Sequence, residues 1–260
     1  MKLRTVLTSV ALLSAPAFAG TPDVEPVLTP APSASDGWEF RLAIYGPMMG
    51  MDGTVGVGPV VGTVDIPFSE ILESLDGGFF SSFEARGNRW SINGDIMWLK
   101  MSSSSYPGPN SYLGFKQEQF MSTLTTGFEL YEDESTVFDI FGGLAVTSLD
   151  VDVDFTTFPA LRPPVSRTIG GSETWIDPIV GLRARHRFAD NWSVFGSASY
   201  GGFGVGSDEY WQLIGGIAYH MTEHSSIALA YRGIGVDYRD DNFLYNTKTY
   251  GPNLGIMFRF

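Results

Sequence analysis

The chain has 260 residues, no cysteine and a formal net charge of −13. The absence of thiols excludes a disulfide framework and thiolate metal sites, and the acidity argues against nucleic acid as a partner. No stretch beyond the N-terminus approaches the roughly 18 consecutive apolar residues of a membrane helix; the best candidate, residues 137–146, is interrupted by Asp139.

The first residues combine Lys2 and Arg4 with an apolar centre over residues 6–13 and the sequence Ala17-Phe18-Ala19. This is the pattern of a signal peptide cleaved after Ala19. Cleavage would remove those two cations and take the formal net charge from −13 to −15. Residues 20–37 are proline-rich and unpatterned, as expected of a flexible periplasmic lead-in. The remainder, 38–260, is long enough for one domain.

From Trp38 onward, apolar groups recur at every second position in ten segments: 38–50, 77–87, 90–101, 115–131, 137–150, 173–188, 192–201, 207–221, 226–239 and 247–260. A period of two is the mark of a strand with two unlike faces. Each segment can supply the about 9–11 residues of an oblique membrane crossing. Short links at 87–89, 133–135, 189–191 and 222–225 alternate with longer ones at 51–76, 102–114, 151–172, 202–206 and 240–246. Short periplasmic turns and longer outer loops are the asymmetry of a transmembrane barrel. The expected fold is all-β, a transmembrane antiparallel up-and-down barrel of ten strands. Eight or twelve remain open, because residues 52–66 can form an additional hairpin.

Energetics decide which face meets lipid. Arginine there costs about 2–4 kcal/mol at the midplane, and Arg183 lies about six residues above its turn, so the polar parity points inward. That parity carries Glu39, Arg41, Glu84, Arg86, Asp95, Glu129, Asp139, Arg183, Arg185, Arg187, Arg232 and Arg259. A barrel this narrow has little free interior. A packed ionic network filling the lumen is favoured over a selective pore with a basic periplasmic end. Trp38, Trp90 and Trp192 begin rising strands, and Trp98 and Trp211 lie towards their far ends, as two aromatic girdles would. Trp175 departs from the parity of its strand, and so do Ile234, Val236 and Tyr238; a bulge or an exit from the lipid would explain each.

The long first link predicts a short helix, with Ser69 as N-cap, Phe68, Ile71, Leu72 and Leu75 on one side, and Gly77 at its end. Pro47 and Pro252 lie on the two strands that must close the barrel. Each removes a donor, so a weak seam or lateral opening is expected there. Asp150, Asp152 and Asp154 share one face, and Glu173, Asp240 and Asp241 also lie near outer ends. They read as a solvated acidic rim, without the spacing of a calcium loop. The glycine-rich residues 201–206 read as a tight outer turn. No metal, cofactor or catalytic residue is called for.

The last strand alternates Tyr250, Leu254, Ile256, Phe258 and Phe260 with small and polar residues. A secretory start and a terminal aromatic on such a strand resemble the outer-membrane β-barrels of Gram-negative bacteria. Residues 64–101 (VDIPFSEILESLDGGFFSSFEARGNRWSINGDIMWLKM), with GFGVGSDEYWQ and YGPNLGIMFRF, resemble small members of that group. The resemblance implies an outer-membrane location, lipopolysaccharide and lipid as surroundings, and a last strand read by the barrel-assembly machinery. It carries over no catalytic residues. In omptin barrels, acid and histidine groups stand at the outer mouth; here His186, His220 and His224 all lie beside periplasmic turns, so no enzyme is expected. The expectation is a structural or surface-interaction barrel with a side-chain-filled lumen, and the alternative is a narrow porin-like channel for small solutes or apolar compounds.

Overall fold

The computed structural model describes residues 37–160 and 163–260. The signal peptide and lead-in expected at 1–19 and 20–37 lie outside this range, apart from Gly37. In chain order the elements are β1 (Glu39–Pro47), β2 (Gly50–Val57), β3 (Val60–Ile66), α1 (Phe68–Ser74), β4 (Leu75–Gly87), β5 (Trp90–Gly108), β6 (Ser111–Glu132) and β7 (Thr136–Thr157). They continue with β8 (Val165–Ala189), β9 (Trp192–Gly202), β10 (Glu209–His220), β11 (Ser225–Asp240) and β12 (Phe243–Arg259).

From β4 to β12 each strand pairs antiparallel with the next, and β1 pairs with both β4 and β12, which closes the barrel. β2 continues the β1 ladder along the upper half of β12, so β1 and β2 together make one wall strand. The barrel therefore has ten wall strands, and β3 forms a hairpin with β2 on the outer side. The ring of pairings closes through the β1–β4 ladder, which runs from Glu39↔Arg86 to Ile44↔Ser81; a closed ring is what a membrane-spanning sheet requires.

Strand lengths overturn part of the loop assignment. The links expected at 102–114 and 151–172 are largely strand. β5–β6 pair up to Gly108↔Ser111, and β7–β8 up to Thr157↔Val165. With 22 residues in each of β6 and β7 and 25 in β8, these hairpins rise well beyond a membrane crossing. Alternation is weaker there because both faces of a hairpin above the lipid meet water. The turns are tight where expected: Asn88 and Arg89 both have positive φ, as a two-residue hairpin matched to strand twist demands.

The helix also differs. Pro67, not Ser69, is the N-cap, with no side-chain cap bond, and the helix ends at Leu75 before Gly77. Ser69 lies two residues inside the cap position and so cannot serve as the cap.

The proline seam is bridged. The register runs Arg41↔Arg259 to Pro47↔Asn253, then Gly50↔Tyr250 to Val57↔Phe243. Between the two stretches the Met48 N–H donates to the Pro252 carbonyl at 2.8 Å. Edges without a partner lie instead on the far side of β3 and on the β1 side of β4 from Leu75 to Phe80, above the last β1–β4 pair. At the other end, Phe260 and Phe40 exchange both backbone bonds, at 2.9 and 3.3 Å, tying the terminal aromatic into the wall.

Outward positions form an apolar belt that includes Ile44, Leu124, Ile140, Leu144, Val180, Leu182, Leu213, Leu229 and Leu254, all exposed. A continuous apolar band encircling the molecule is far larger than the patches water-soluble monomers tolerate; it fits a hydrocarbon environment. At the short-turn end, Trp90 packs edge-on against Phe128 at 5.1 Å, and Trp192 against Tyr219 at 4.9 Å. Trp38 lies over Gly87 at the same end. Towards the opposite end, the Trp98 indole donates to Glu118 at 3.0 Å, and the Trp211 ring lies against Gly233 and Gly235.

Candidate functional site: the barrel lumen

The inward parity brings charges from distant strands together in the periplasmic half. Arg41 faces Glu84 across the β1–β4 ladder, and its guanidinium donates to the Glu84 carboxylate at 2.9 Å. Glu84 also receives Arg185 at 3.0 Å and Arg86 at 3.3 Å. Arg86 reaches on to Asp139, which is 1% exposed, and to Glu129 at 3.6 Å. Glu129 and Asp139 stand directly opposite each other on β6 and β7; two carboxylates so placed repel unless a cation lies between, and Arg86 supplies it. Arg41 and Arg259 both hold Glu39. Buried charges persist when paired and hydrogen-bonded in this way.

Half-way up the lumen a second group crosses the axis. Arg232 on β11 donates bidentately to Asp95 on β5, at 3.0 and 3.1 Å. The Tyr45 hydroxyl of β1 accepts from Arg232 at 2.9 Å and donates to Asp95 at 3.0 Å. These strands are separated by β12 on one side and β4 on the other, so the group forms a chord across the barrel.

Above the chord the lumen becomes apolar. Trp175, 4% exposed, stacks face to face on Tyr238, with ring centroids 4.0 Å apart and planes at 8°. Tyr245 leans on Trp175 at 5.9 Å, and Phe243 on Tyr238 at 6.2 Å. Leu149, Ile179, Tyr210, Ile234 and Val236 complete this buried cluster. Gln119 satisfies the Tyr245 hydroxyl at 3.0 Å, as a buried phenol requires. The irregularities expected at Trp175 and on β11 are therefore not bulges. β8 keeps its register with β7 from Thr136↔His186 to Thr157↔Val165, and β11 keeps its register with both neighbours. Trp175 shares its parity with Arg183, and Ile234 shares its parity with Arg232; all four face inward. The inner face, not the strand, changes character.

These two tiers leave a blind cavity. A space of about 1140 Å³ opens among the periplasmic turns and extends up to Asp95, Gln212 and Arg232. Beyond it, between Met97, Met121, Thr147, Tyr210 and Ile234, lies a void of about 10 Å³, roughly the room of one water. The lumen above this cavity is thus filled by buried side chains.

Of the twelve charges expected inside, ten take part in ion pairs. Arg183 and Arg187 line the cavity with no salt bridge among the described residues. Arg183 instead lies over the Phe141 ring at 4.8 Å. His220 bonds Ser193 and Ser226 at 3.0 and 2.8 Å, and His186 bonds Thr136 at 3.0 Å, all at the periplasmic end. Asp150, Asp152 and Asp154 face away from the lumen on the β7 extension; Asp154 receives the Thr168 hydroxyl at 2.6 Å. No metal-holding cluster of carboxylates and histidines occurs among the described residues. The glycine-rich turn is held from below: the buried Asp177 carboxylate accepts the Ser207 N–H at 2.6 Å.

The plug residues were missed because apolar side chains were read as lipid-facing. Their signal is present nonetheless. On β11, Arg232 is followed at the same parity by Ile234, Val236 and Tyr238, with no proline between them to flip the strand.

No family model matches the chain, and no curated protein matches it in sequence. Among solved structures it is similar to the outer membrane protease OmpT from Escherichia coli, at 10% identity and a TM-score of 0.60, over 87% of this chain and 98% of that one. It also aligns with Ail, the attachment invasion locus protein of Yersinia pestis (13% identity, TM-score 0.35, 86% and 99% covered). A third alignment is with the translocator domain of the autotransporter NalP from Neisseria meningitidis (12%, 0.32, 87% and 90%). The last two superpose too loosely to inform the architecture. The likeness to OmpT speaks for the fold alone: this chain folds as an outer-membrane-type antiparallel β-barrel.

Proposed function

We propose that the protein is an integral outer-membrane barrel of a Gram-negative cell, with a structural or surface-interaction role rather than a conducting one. The observation that carries this reading is the double obstruction of the lumen, by the Arg232–Asp95–Tyr45 chord and then by the Trp175–Tyr238 stack. A solute entering from the periplasm meets a dead end at mid-height.

The surface role falls to the two hairpins that rise beyond the belt, β5–β6 and β7–β8, which carry exposed Tyr106, Phe155 and Val165 among acidic side chains. Lipid and lipopolysaccharide are the proposed neighbours of the belt. The assembly machinery is the proposed reader of Tyr250, Leu254, Ile256, Phe258 and Phe260, all outward and exposed on the last strand. Catalysis is not part of this reading: the histidines and the outer carboxylates stand at opposite ends of the barrel, and general acid–base work needs such groups within hydrogen-bond reach.

Planar-bilayer recording tests the closed lumen. The purified protein is expected to give no single-channel steps. Reproducible steps of defined size would overturn the reading in favour of a narrow channel.

A further inference from the structure

The ionic network in the periplasmic half is unevenly compensated. Arg41, Arg86, Arg185 and Arg259 share Glu39, Glu84, Glu129 and Asp139, and Arg232 has Asp95 to itself. Arg183 and Arg187 project from β8 into the same cavity, and among the described residues neither forms an ion pair. One guanidinium nitrogen of Arg183, Nη1, is buried without a hydrogen-bond partner. Asp139 stands opposite Arg183 across the β7–β8 ladder, but its carboxylate is taken by Arg86. Arg183 is thus a half-buried guanidinium without a counter-ion, where an unpaired charge is costly; Arg187, exposed on the same wall, adds a second cation with no ion pair.

The wall beside these arginines is not polar. Phe141 underlies Arg183, and Ile179, Phe195 and Ile214 line the same space. The cavity volume, about 1140 Å³, exceeds the usual range for small-molecule sites, so it can hold more than a bare ion.

We infer that this cavity is a binding site for a periplasmic small molecule that joins an anionic group to an apolar body, with Arg183 and Arg187 taking the anion and Phe141, Phe195 and Ile214 the body. Guanidinium groups suit carboxylate and phosphate oxygens equally in charge, and bidentate geometry favours both. The acids of the mouth, Glu132, Asp133, Glu134, Asp190 and Glu223, lie on the turns, and at physiological ionic strength their field fades over about 8 Å. The inference goes beyond the closed-lumen reading and does not depend on it, since binding at the periplasmic end is indifferent to what happens above the chord.

The test is titration calorimetry of the full-length folded barrel in zwitterionic micelles at physiological ionic strength, with micelles alone as the blank. The probes are benzoate, its neutral counterpart benzamide, and inorganic phosphate. Benzoate is expected to bind, Arg183→Gln to weaken it by at least about tenfold, the effect of leaving a desolvated charge unpaired, and Arg187→Gln, at an exposed position, to weaken it less. Retention of the heat-modifiable gel mobility shows that each variant has folded. Equal affinity for benzamide would overturn the anionic half of the site, and equal affinity for phosphate its apolar half. No binding by benzoate, or binding indifferent to both substitutions, would overturn the site altogether.

Discussion

Asp95 and Arg232 meet across the barrel axis, with side chains only 16% and 7% exposed. A buried pair of this kind contributes little beyond a matched apolar pair, but removing one partner leaves a charge with no water to receive it. Asp95→Ala is therefore expected to destabilise the barrel by about 3–5 kcal/mol. The double replacement Asp95→Leu with Arg232→Met is expected to recover most of that loss. Urea unfolding of vesicle-reconstituted protein measures both, and equal stability of wild type and Asp95→Ala would show that the pair is hydrated rather than buried. The residue types were legible in the sequence, since both lie on the polar parity. Their partnership was not: nothing along the chain states that two residues 137 positions apart face each other over a lumen.

At the scale of elements, the closing seam depends on close approach of backbones. A Cβ on Gly251 would fall within contact of the Met48 carbonyl oxygen and 2.7 Å from the Met49 Cα, where β1 gives way to β2. Gly251→Val is expected to cost about 1–3 kcal/mol by overpacking. Gly215, whose Cβ would meet nothing within 4 Å, should accept alanine within about 0.5 kcal/mol. Thermal gel-shift midpoints compare the two, and equal tolerance would contradict the tight seam. The strands themselves were readable because lipid outside and charge inside impose a strict period of two between residues 77 and 101 or 115 and 150. Above the belt that constraint lapses, so the rising parts of β5 to β8 looked like loops. Pro47 and Pro252 pointed to the closing pair of strands, but the seam they predicted to be weak is bridged by the Met48 amide, and unpaired edges lie on β3 and on the upper part of β4 instead.

The whole molecule has three levels along one axis: a periplasmic cavity walled by ion pairs, a charged chord at mid-height, and an aromatic plug beneath the outer hairpins. Fold class and barrel closure were legible from alternation, turn lengths and the last strand. The third level was not, because an apolar side chain facing into a plugged lumen and one facing lipid look alike in composition, and only strand continuity separates them. Trp175 is the residue at which the two accounts diverge. The most direct measurement is quenching of tryptophan fluorescence in reconstituted vesicles, for a variant retaining only Trp175 and a second retaining only Trp90. Trp90 should be quenched by brominated lipid, and Trp175 should be shielded both from brominated lipid and from aqueous iodide. Iodide quenching of Trp175 would mean an open lumen, and quenching by brominated lipid would mean that the strand faces are reversed; either result contradicts the account.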